Sequence, residues 1–287
     1  MCEVAVITTG FFDGVHLGHR HVLETVVSSA RERGEEAVVV TFWPHPRTVL
    51  QQDAREFRLL SSLEEKKAML AACGIDRVEV LPFTREFASM TAADYLAMLR
   101  DRFGATLVVM GYDNRIGSDC KMAQELEGVI ACDERRGGTS VSHISSTQIR
   151  KALEEGRVTD ANAMLGYRYG LFGVVVAGNR MGRTIGFPTA NMQLYEPLKL
   201  VPKDGVYAVE VEVMGKRYKG MCNIGVRPTV DGKARTIETH ILDFEEDIYG
   251  LPLQLHFVRR IRDERKFPSL DALKVQLMQD KIIAKLV

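Results

Sequence analysis

Two histidines stand three residues apart in a glycine-rich segment that follows the first apolar run of the chain. The segment reads Gly10-Phe11-Phe12-Asp13-Gly14-Val15-His16-Leu17-Gly18-His19 and precedes a predicted helix. In an open α/β sheet, ligands bind at the carboxyl ends of the strands, and a helix amino terminus offers free N–H groups to phosphate. Imidazoles donate hydrogen bonds to a phosphate whose charge grows during displacement, and glycines let the backbone come close. His16 and His19 therefore predict a phosphate-transfer site.

Two other interpretations of this histidine pair exist. One histidine could cap the helix while the other is structural, which is the usual role of a lone histidine. A zinc site is the second alternative, but no third ligand at metal-like spacing accompanies the pair. Two histidines together with two glycines at a strand-to-helix turn favour the phosphate site.

A serine-rich segment opens a helix near residue 146. It reads Ile144-Ser145-Ser146-Thr147-Gln148-Ile149-Arg150. Either serine fits an ordinary helix N-cap. Arg150, one helical turn in, offers a planar fork for phosphate oxygens.

A second glycine-rich segment lies between strand-like runs in the other half of the chain. Gly178, Gly182 and Gly186 recur at four-residue spacing and predict a loop whose N–H groups face phosphate. Thr189 and Asn191 supply hard oxygen donors of the kind that suits Mg²⁺ shared with ATP phosphates. The chain has no GxxxxGK[ST] motif, so a kinase here is not of the P-loop class. Taken alone, such a segment is more often a turn.

The elements that carry these segments differ between the two halves. Up to residue 165, strand and helix signals alternate, which predicts a parallel sheet with helices on both faces. Capping patterns at Ser62/Glu65 and Thr91/Asp94 mark helix starts, and Gly34 marks a helix end. From residue 166, runs with strand-like alternation and a tight turn at residues 214–216 precede a single helix after Ser269. This pattern predicts a small antiparallel β-barrel with a carboxyl-terminal helix.

Composition narrows the class of protein. The 287 residues allow two domains, and 38 basic residues balance 38 acidic ones, which gives no sign of a nucleic-acid footprint. The five cysteines are scattered and never spaced as CxxC, which fits a reducing compartment. We see no signal peptide and no membrane-spanning apolar run, so the expected location is the cytoplasm. The oligomeric state is left open between a monomer and a weak homo-oligomer.

The first two motifs together resemble the nucleotidyltransferases with an HxGH motif and a late ISSTxxR motif. The longer string at residues 12–19, with Thr41-Phe42-Trp43-Pro44-His45-Pro46, resembles the FMN adenylyltransferase module of bacterial bifunctional riboflavin kinase/FAD synthetases. The resemblance covers essentially the whole chain and implies a Rossmann-like domain over residues 1–165. It also implies the reaction of FMN with ATP to give FAD and pyrophosphate.

The resemblance assigns roles to residues of this half. His16, His19 and Arg150 become catalytic, and the ATP-binding set comprises Gly10, Phe12, Gly14, His16, Gly18, His19, Ser146, Thr147 and Arg150. The loop Gly111–Gly117 corresponds to the flavin-side loop of the family, from which Asp113 is carried over. Asn114 and Ile116 stand where the family has aromatics, so we expect weaker or different flavin stacking.

The second half resembles the riboflavin kinase module, which implies a kinase domain over residues 166–287. The most specific string is Gly182-Arg183-Thr184-Ile185-Gly186-Phe187-Pro188-Thr189-Ala190-Asn191. By resemblance Glu238 is the general base for the riboflavin hydroxyl, whereas its neighbour His240 is left as structural. ATP would contact Gly178, Gly182, Arg183, Gly186, Thr189 and Asn191, with Mg²⁺ on the last two. Arg265 and Phe267 would close over the flavin.

Two competing functions are kept in view. A nucleotidyltransferase of another specificity would share the HxGH and ISSTxxR elements but would not need the pattern over residues 170–267. A flavin- or nucleotide-binding regulator without catalysis would not need Glu238 and the histidine pair intact. The partners expected here are riboflavin, FMN, FAD and ATP, with neither nucleic acid nor membrane.

Overall fold

The computed structural model describes residues 4–50, 57–112, 114–132, 144–178, 181–229 and 232–287, with the backbone alone described at 181, 183, 227–229 and 232–234. The chain divides into two compact units, Met1–Ser146 and Thr147–Val287. Within the described ranges, no helix combines the length and the apolar character that crossing a bilayer requires.

The first unit is built on a five-stranded parallel sheet in the order β3-β2-β1-β4-β5. The strands are β1 Ala5–Thr9, β2 Glu36–Trp43, β3 Arg77–Pro82, β4 Ala105–Met110 and β5 Val129–Ala131. The helices are α1 Leu17–Arg33, α2 Pro46–Leu50, α3 Leu63–Ala72, α4 Arg85–Ala88 and α5 Ala92–Phe103. The predicted parallel sheet is therefore confirmed, and β1 occupies its centre.

Local signals set the helix ends of this unit. Ser62 and Glu65 form the predicted capping box on α3, and the Thr91 side chain caps α5. Gly34 ends α1 with a φ of 68°, a conformation that glycine adopts without a Cβ penalty. One apolar cluster packs α5 on one face of the sheet, and a second packs α1 on the other. Helices therefore cover both faces, as predicted.

The second unit is a closed six-stranded antiparallel barrel in the order β10-β7-β6-β11-β8-β9. Its strands are β6 Gly170–Val176, β7 Ala190–Leu194, β8 Gly205–Val213, β9 Lys216–Thr229, β10 Gly232–Ile241 and β11 Pro252–Arg262. Its helices are α6 Ser146–Glu154, which begins at the boundary of the units, α7 Val158–Leu165, α8 Met181–Thr184 and α9 Leu270–Lys285. The predicted barrel and terminal helix are confirmed.

Turn chemistry and strand alternation shape the barrel. Met214 and Gly215 both have positive φ, at 52° and 72°, and join β8 to β9 through a two-residue turn. Successive residues of β10 face opposite sides, as in any strand. Thr239 lies level with Cys222 inside the barrel, whereas Ala208 and Met221 face outward and pack against Ala284 of α9.

Two features of this unit differ from the sequence prediction. Part of the glycine-rich segment predicted as a loop is a helical turn, α8. The strand β7 begins after a turn at residues 185–189 and was not predicted, because its five residues show no clear alternation. The two helices before the barrel pack within the second unit. The Asn162 side chain donates to the Phe257 carbonyl at 2.8 Å, and the Lys203 N–H donates to the Leu153 carbonyl at 3.0 Å.

Candidate active sites

The turn between β1 and α1 is a strained loop. Phe12, Gly14 and Val15 have φ values of 49°, 79° and 35°. A β-branched residue such as Val15 rarely adopts this region, so surrounding contacts must hold it there. Val15 is fully buried, and its N–H donates to the Phe12 carbonyl at 3.1 Å. Such strain is typical of loops that are shaped for a ligand.

The two histidines of this loop lie against each other at the start of α1. His16 is the N-cap of α1, and its Nδ1 accepts a hydrogen bond from the His19 N–H at 3.3 Å. The rings stack with their centroids 3.6 Å apart. A Cβ at Gly18 would lie 3.2 Å from the His16 ring, so glycine leaves room for the stack. His16 therefore caps the helix and also stands at the predicted phosphate site, which makes the two interpretations compatible.

The electrostatic setting keeps His19 neutral. Burial lowers the pKa of His19 well below its ordinary value, and the charges of His16 and Lys66 lower it further. The Nδ1 atom of His19 is buried without a hydrogen-bond partner. A neutral ring with a buried polar nitrogen is suited to a ligand that brings its own hydrogen-bonding oxygens.

Asp13 anchors the loop to the residues before α3, and sequence reasoning missed this role. Its carboxylate accepts from the Leu60 N–H at 3.0 and 3.1 Å and from the Ser61 N–H at 3.0 Å. The Ser61 hydroxyl donates to Asp13 at 3.2 Å and accepts from the Gly14 N–H at 3.0 Å. All of these groups are buried or lie in the loop, so the contacts tie it to α3. No local signal could reveal them, because the partners lie 47 and 48 residues apart in sequence.

Ser146 of the serine-rich segment contacts the histidine loop. The Ser146 hydroxyl donates to the Asp13 carbonyl at 3.1 Å, and α6 starts at the same residue. Thr147 is exposed in the first turn of α6, whereas Arg150, one turn further on, is buried. The structure therefore joins the ISST segment to the histidine loop through Ser146.

The expected flavin-side loop is only partly described. Asp113 lies outside the described residues. Ile116 is buried in the apolar cluster that contains Tyr95, and it bridges to Lys121 as an isolated antiparallel pair. The Ile116 side chain packs in the core of the first unit. The isoleucine that stands here in place of the family's aromatic residue therefore affects packing in that core.

A group of aromatic rings lies at the carboxyl ends of β1 and β2. The Phe11 ring is 4.8 Å from that of His45, and the His45 ring is 4.4 Å from that of Phe57. Phe11 and His45 are half-buried, whereas Phe57 is buried. The string containing His45 carries part of the family resemblance, but its sequence predicts no stacking surface there.

In the second unit, strand pairing places Glu238 beside two asparagines. Glu238 of β10 lies level with Asn191 of β7 on one side and with Asn223 of β9 on the other. Directly opposed residues of neighbouring strands share a face of the sheet. Glu238 is buried, with 8% of its surface exposed. The structure therefore brings Glu238 and Asn191 together.

A cavity of about 440 Å³ opens on the other face of the same strands. Thr189, Thr239 and Ile241 line it, together with the acidic segment Glu245–Asp247. Glu238 does not line it, because alternate residues of β10 point to opposite faces. Thr189, in the turn before β7, lines the cavity, whereas Asn191 of β7 lies level with Glu238, so the start of β7 borders both.

The glycines before β7 are required for close approach. A Cβ at Gly178 would overlap the Asn191 amide, and one at Gly182 would overlap the Phe187 carbonyl. Gly186 has a φ of 81° with open space around it, so it serves the backbone conformation. Residues 179 and 180 and the Arg183 side chain lie outside the described residues.

His240 holds the turn that carries Thr189. Its Nδ1 lies 2.8 Å from the Pro188 carbonyl, and its ring meets the edge of Phe187. Burial lowers the pKa of His240, so the ring is neutral near pH 7. Because a carbonyl only accepts, the ring proton of neutral His240 lies on Nδ1.

The predicted flavin-closing residues lie next to α9. The Arg265 guanidinium is 4.9 Å from the centre of the Phe267 ring, and its Nη2 donates to the Gln276 side chain. Arg262 forms an ion pair at 2.8 Å with the buried Asp280 of α9. The Arg262–Asp280 ion pair holds the start of this segment against α9, whereas the Arg265 side chain is exposed to solvent.

Comparisons with known proteins match each half of the chain separately. The FAD synthetase family matches residues 2–150, and the riboflavin kinase family matches residues 165–287. A bifunctional riboflavin kinase/FMN adenylyltransferase of Bacillus subtilis is 38% identical over 286 residues, covering 96% of this chain and 90% of its own. The Escherichia coli protein of the same name is 37% identical over 292 residues, covering 99% and 92%.

A solved structure shows the same fold over both units. A Streptococcus pneumoniae protein described as a macrolide-efflux protein superposes with a TM-score of 0.93 at 35% identity, covering 99% of this chain and 95% of its own. That description does not carry over, because both matched families and the curated relatives are flavin-cofactor enzymes.

The FAD synthetase match over the α/β unit and the riboflavin kinase match over the barrel define a two-part transferase of flavin-cofactor synthesis. The chain belongs to the bifunctional riboflavin kinase/FMN adenylyltransferase family. It is a riboflavin kinase and an FAD synthetase, as the resemblance predicted. The alternative of a nucleotidyltransferase with another specificity is excluded by the riboflavin kinase match over the second half.

Proposed function

We propose that adenylyl transfer takes place at the β1–α1 loop and phosphoryl transfer at the start of β7. The observation that carries the first assignment is the stacked His16–His19 pair at the amino end of α1. The pairing of Glu238 with Asn191 supports the second. With the functional boundary at residue 165, each domain then contains one reaction site.

In adenylyl transfer, an oxygen of the FMN phosphate attacks the α-phosphorus of ATP in line, and pyrophosphate leaves. No enzyme nucleophile is required, so positioning and stabilisation of charge carry the rate. The ring N–H groups of His16 and His19 donate to phosphate oxygens as negative charge moves onto pyrophosphate. The free N–H groups of the first turn of α1 support the same oxygens.

The remaining nucleotide contacts of this site follow from the loop and from α6. The backbone of the β1–α1 loop approaches ATP where side chains are absent, at Gly10, Gly14 and Gly18, and the Phe12 ring borders the histidines. Ser146 and Thr147 hold the nucleotide from the other side, and Arg150 forms a guanidinium fork on phosphate. On the flavin side, Asp113 acts with the aromatic surface of Phe11 and His45, whose half-buried rings suit a planar ligand.

In the kinase reaction, the 5′-hydroxyl of riboflavin attacks the γ-phosphorus of ATP, and ADP leaves. Glu238 accepts the hydroxyl proton as the new P–O bond forms. ATP occupies the cavity that Thr189 lines, with Gly178, Gly182, Arg183 and Gly186 around its phosphates. Riboflavin approaches from the Glu238 face, where Arg265 and Phe267 cover it. The two substrates meet at the start of β7, which borders both faces.

A divalent cation fits the oxygen donors at the start of β7. Thr189 and Asn191 offer a hydroxyl and an amide oxygen, which are the hard ligands that Mg²⁺ takes together with phosphates. Because these two side chains leave most of its coordination positions open, Mg²⁺ here would be shared with the ATP phosphates. When bound, Mg²⁺ neutralises phosphate charge, and Thr189 and Asn191 fix its position.

The setting of the enzyme follows the sequence analysis. We place it in the cytoplasm, where the four described cysteines, all free thiols, stay reduced. Its partners are riboflavin, FMN, FAD and ATP, and its oligomeric state is a monomer or a weak homo-oligomer. We keep the functional boundary at residue 165, immediately after α7, with α6 contributing to adenylyl transfer.

The test is a chromatographic time course with riboflavin, Mg-ATP and purified protein. FMN should appear first and FAD should follow. FMN that accumulates without FAD would leave the kinase assignment intact and make the Gly111–Gly117 loop suspect. Tight flavin binding with neither product would instead indicate the regulator without catalysis.

A further inference from the structure

Lys66 is a buried cation that has no assigned role in either reaction site. It lies on α3, and only 5% of its surface is exposed. Its Nζ donates to the Phe11 carbonyl and to the Thr41 hydroxyl, each at 3.0 Å. Phe11 lies in the histidine loop and Thr41 in β2, so one ammonium joins α3 to two strand ends at the ligand-binding edge of the sheet.

The surroundings of this ammonium are unusually poor in counter-charge. Both hydrogen-bond acceptors of Lys66 are neutral, and the carboxylate whose charge reaches it, Asp13, already accepts from the Leu60 and Ser61 N–H groups. Burial lowers the pKa of Lys66 to about 8, although Asp13 acts in the opposite direction. Holding a charge in such a place is costly, whereas an apolar side chain of similar length would fill the space without that cost.

The positive charge acts on the histidine pair. Lys66 contributes to the lowered pKa of His19, so its field extends to the first turn of α1. The titratable groups that interact electrostatically with it are Asp13 of the loop and His19 of α1. The strand ends contribute only hydroxyl and carbonyl groups, at Thr41 and Phe11.

We propose that Lys66 is a positioning residue for adenylyl transfer, which fixes the Phe11 end of the histidine loop and supplies a positive charge near His19. This inference rests on the assignment of that reaction to the β1–α1 loop. During the displacement, negative charge moves onto the departing pyrophosphate. A buried cation stabilises that charge more strongly than one in water and requires no reorganisation. Lys66 also favours neutral His19, in which one ring nitrogen donates and the other accepts a hydrogen bond.

The test compares Lys66→Met with Lys67→Met. Lys67 is the adjacent, partly exposed lysine of α3, whose Nζ pairs with Glu64. Below pH 8, Lys66→Met should lower kcat/KM for ATP in FAD formation about tenfold, which is less than the roughly hundredfold cost of losing a donor in direct contact with the reacting oxygen. FMN formation by the same sample should be unchanged. Lys67→Met should leave both reactions within about twofold of the unsubstituted enzyme.

The pH profile separates a charge effect from a packing effect. Lys66 is charged below its folded pKa and loses its proton above it, so its contribution is present at pH 7 and lost as the pH rises through about 8. FAD formation by the unsubstituted enzyme should therefore fall above pH 8. That fall should be missing in Lys66→Met and in Lys66→Arg, whose charge persists, and Lys66→Arg should recover most of the rate.

Three results would overturn the proposal. The first is Lys66→Met activity within about twofold of the unsubstituted enzyme. The second is an equal loss at every pH with the alkaline fall retained. The third result requires no variant, so it tests the proposal even if both substitutions unfold the protein. It is a rate of FAD formation by the unsubstituted enzyme that stays constant from pH 7 to 9.5. Failure of the site assignment itself would appear separately, as unimpaired FAD formation by His19→Ala.

Discussion

The anchoring of the histidine loop by Asp13 gives a prediction that can be worked from the contacts. Replacement of Asp13 by alanine removes the acceptor of the Leu60 and Ser61 N–H groups, both in buried residues. A buried donor without a partner costs about 1–3 kcal/mol, so the two together should cost about 2–6 kcal/mol of first-unit stability. Asp13→Asn keeps one oxygen but loses the charge, and should cost about 1–2 kcal/mol.

The same substitution should impair one reaction and spare the other. The loop holds Val15 in a strained conformation, and release of the anchor lets it relax away from the geometry around His16 and His19. Displacement of a catalytic group by about 1 Å lowers a rate about a hundredfold, so FAD formation should fall by that order in Asp13→Ala. FMN formation should not change, because its proposed site around Glu238 lies in the other unit.

The assay uses the single tryptophan of the chain. Trp43 ends β2, so its fluorescence reports urea unfolding of the first unit. With an m value of roughly 2 kcal/mol/M, the urea midpoint of Asp13→Ala should drop by about 1–3 M. Asp101→Asn, an exposed carboxylate of α5, is the matched control. If Asp13→Ala unfolds within about 0.3 M of the unsubstituted protein and makes FAD at a normal rate, the anchoring argument is wrong.

Three further substitutions separate the reaction sites. His19→Ala should lower FAD formation about a hundredfold or more and leave FMN formation intact. The control His21→Ala should affect neither reaction. Loss of both activities in His19→Ala would mean that the sites are coupled or that the fold is damaged. Glu238→Ala should lower FMN formation about a hundredfold or more without affecting the formation of FAD from added FMN. Glu212→Gln is the control. An unimpaired kinase in Glu238→Ala would show that Glu238 is not the general base. Thr189→Ala should raise the Mg²⁺ concentration for half-maximal FMN formation several-fold, and an unchanged titration would assign the cation to other ligands.

Several features of this protein were determined by the sequence alone because their causes are local. The Ser62/Glu65 capping box, the glycine end of α1 and the Met214–Gly215 turn each depend on residues within a few positions of one another. The strand–helix alternation of the first half and the strand runs of the second predicted both folds. The resemblance of the two halves to one enzyme family, carried by short motifs, predicted the function that the comparisons then showed.

The tertiary structure decided which residues act on those motifs from a distance. Asp13 and Ser61 are 48 residues apart, and Lys66 reaches the carbonyl of Phe11 across 55 residues, so no periodicity or spacing connects them. Pairing of β7 with β10 set Asn191 opposite Glu238 and left Thr189 on the cavity side. A motif records which groups are available locally. Burial, charge and strand register, which fix how those groups behave, arise only when distant segments pack together.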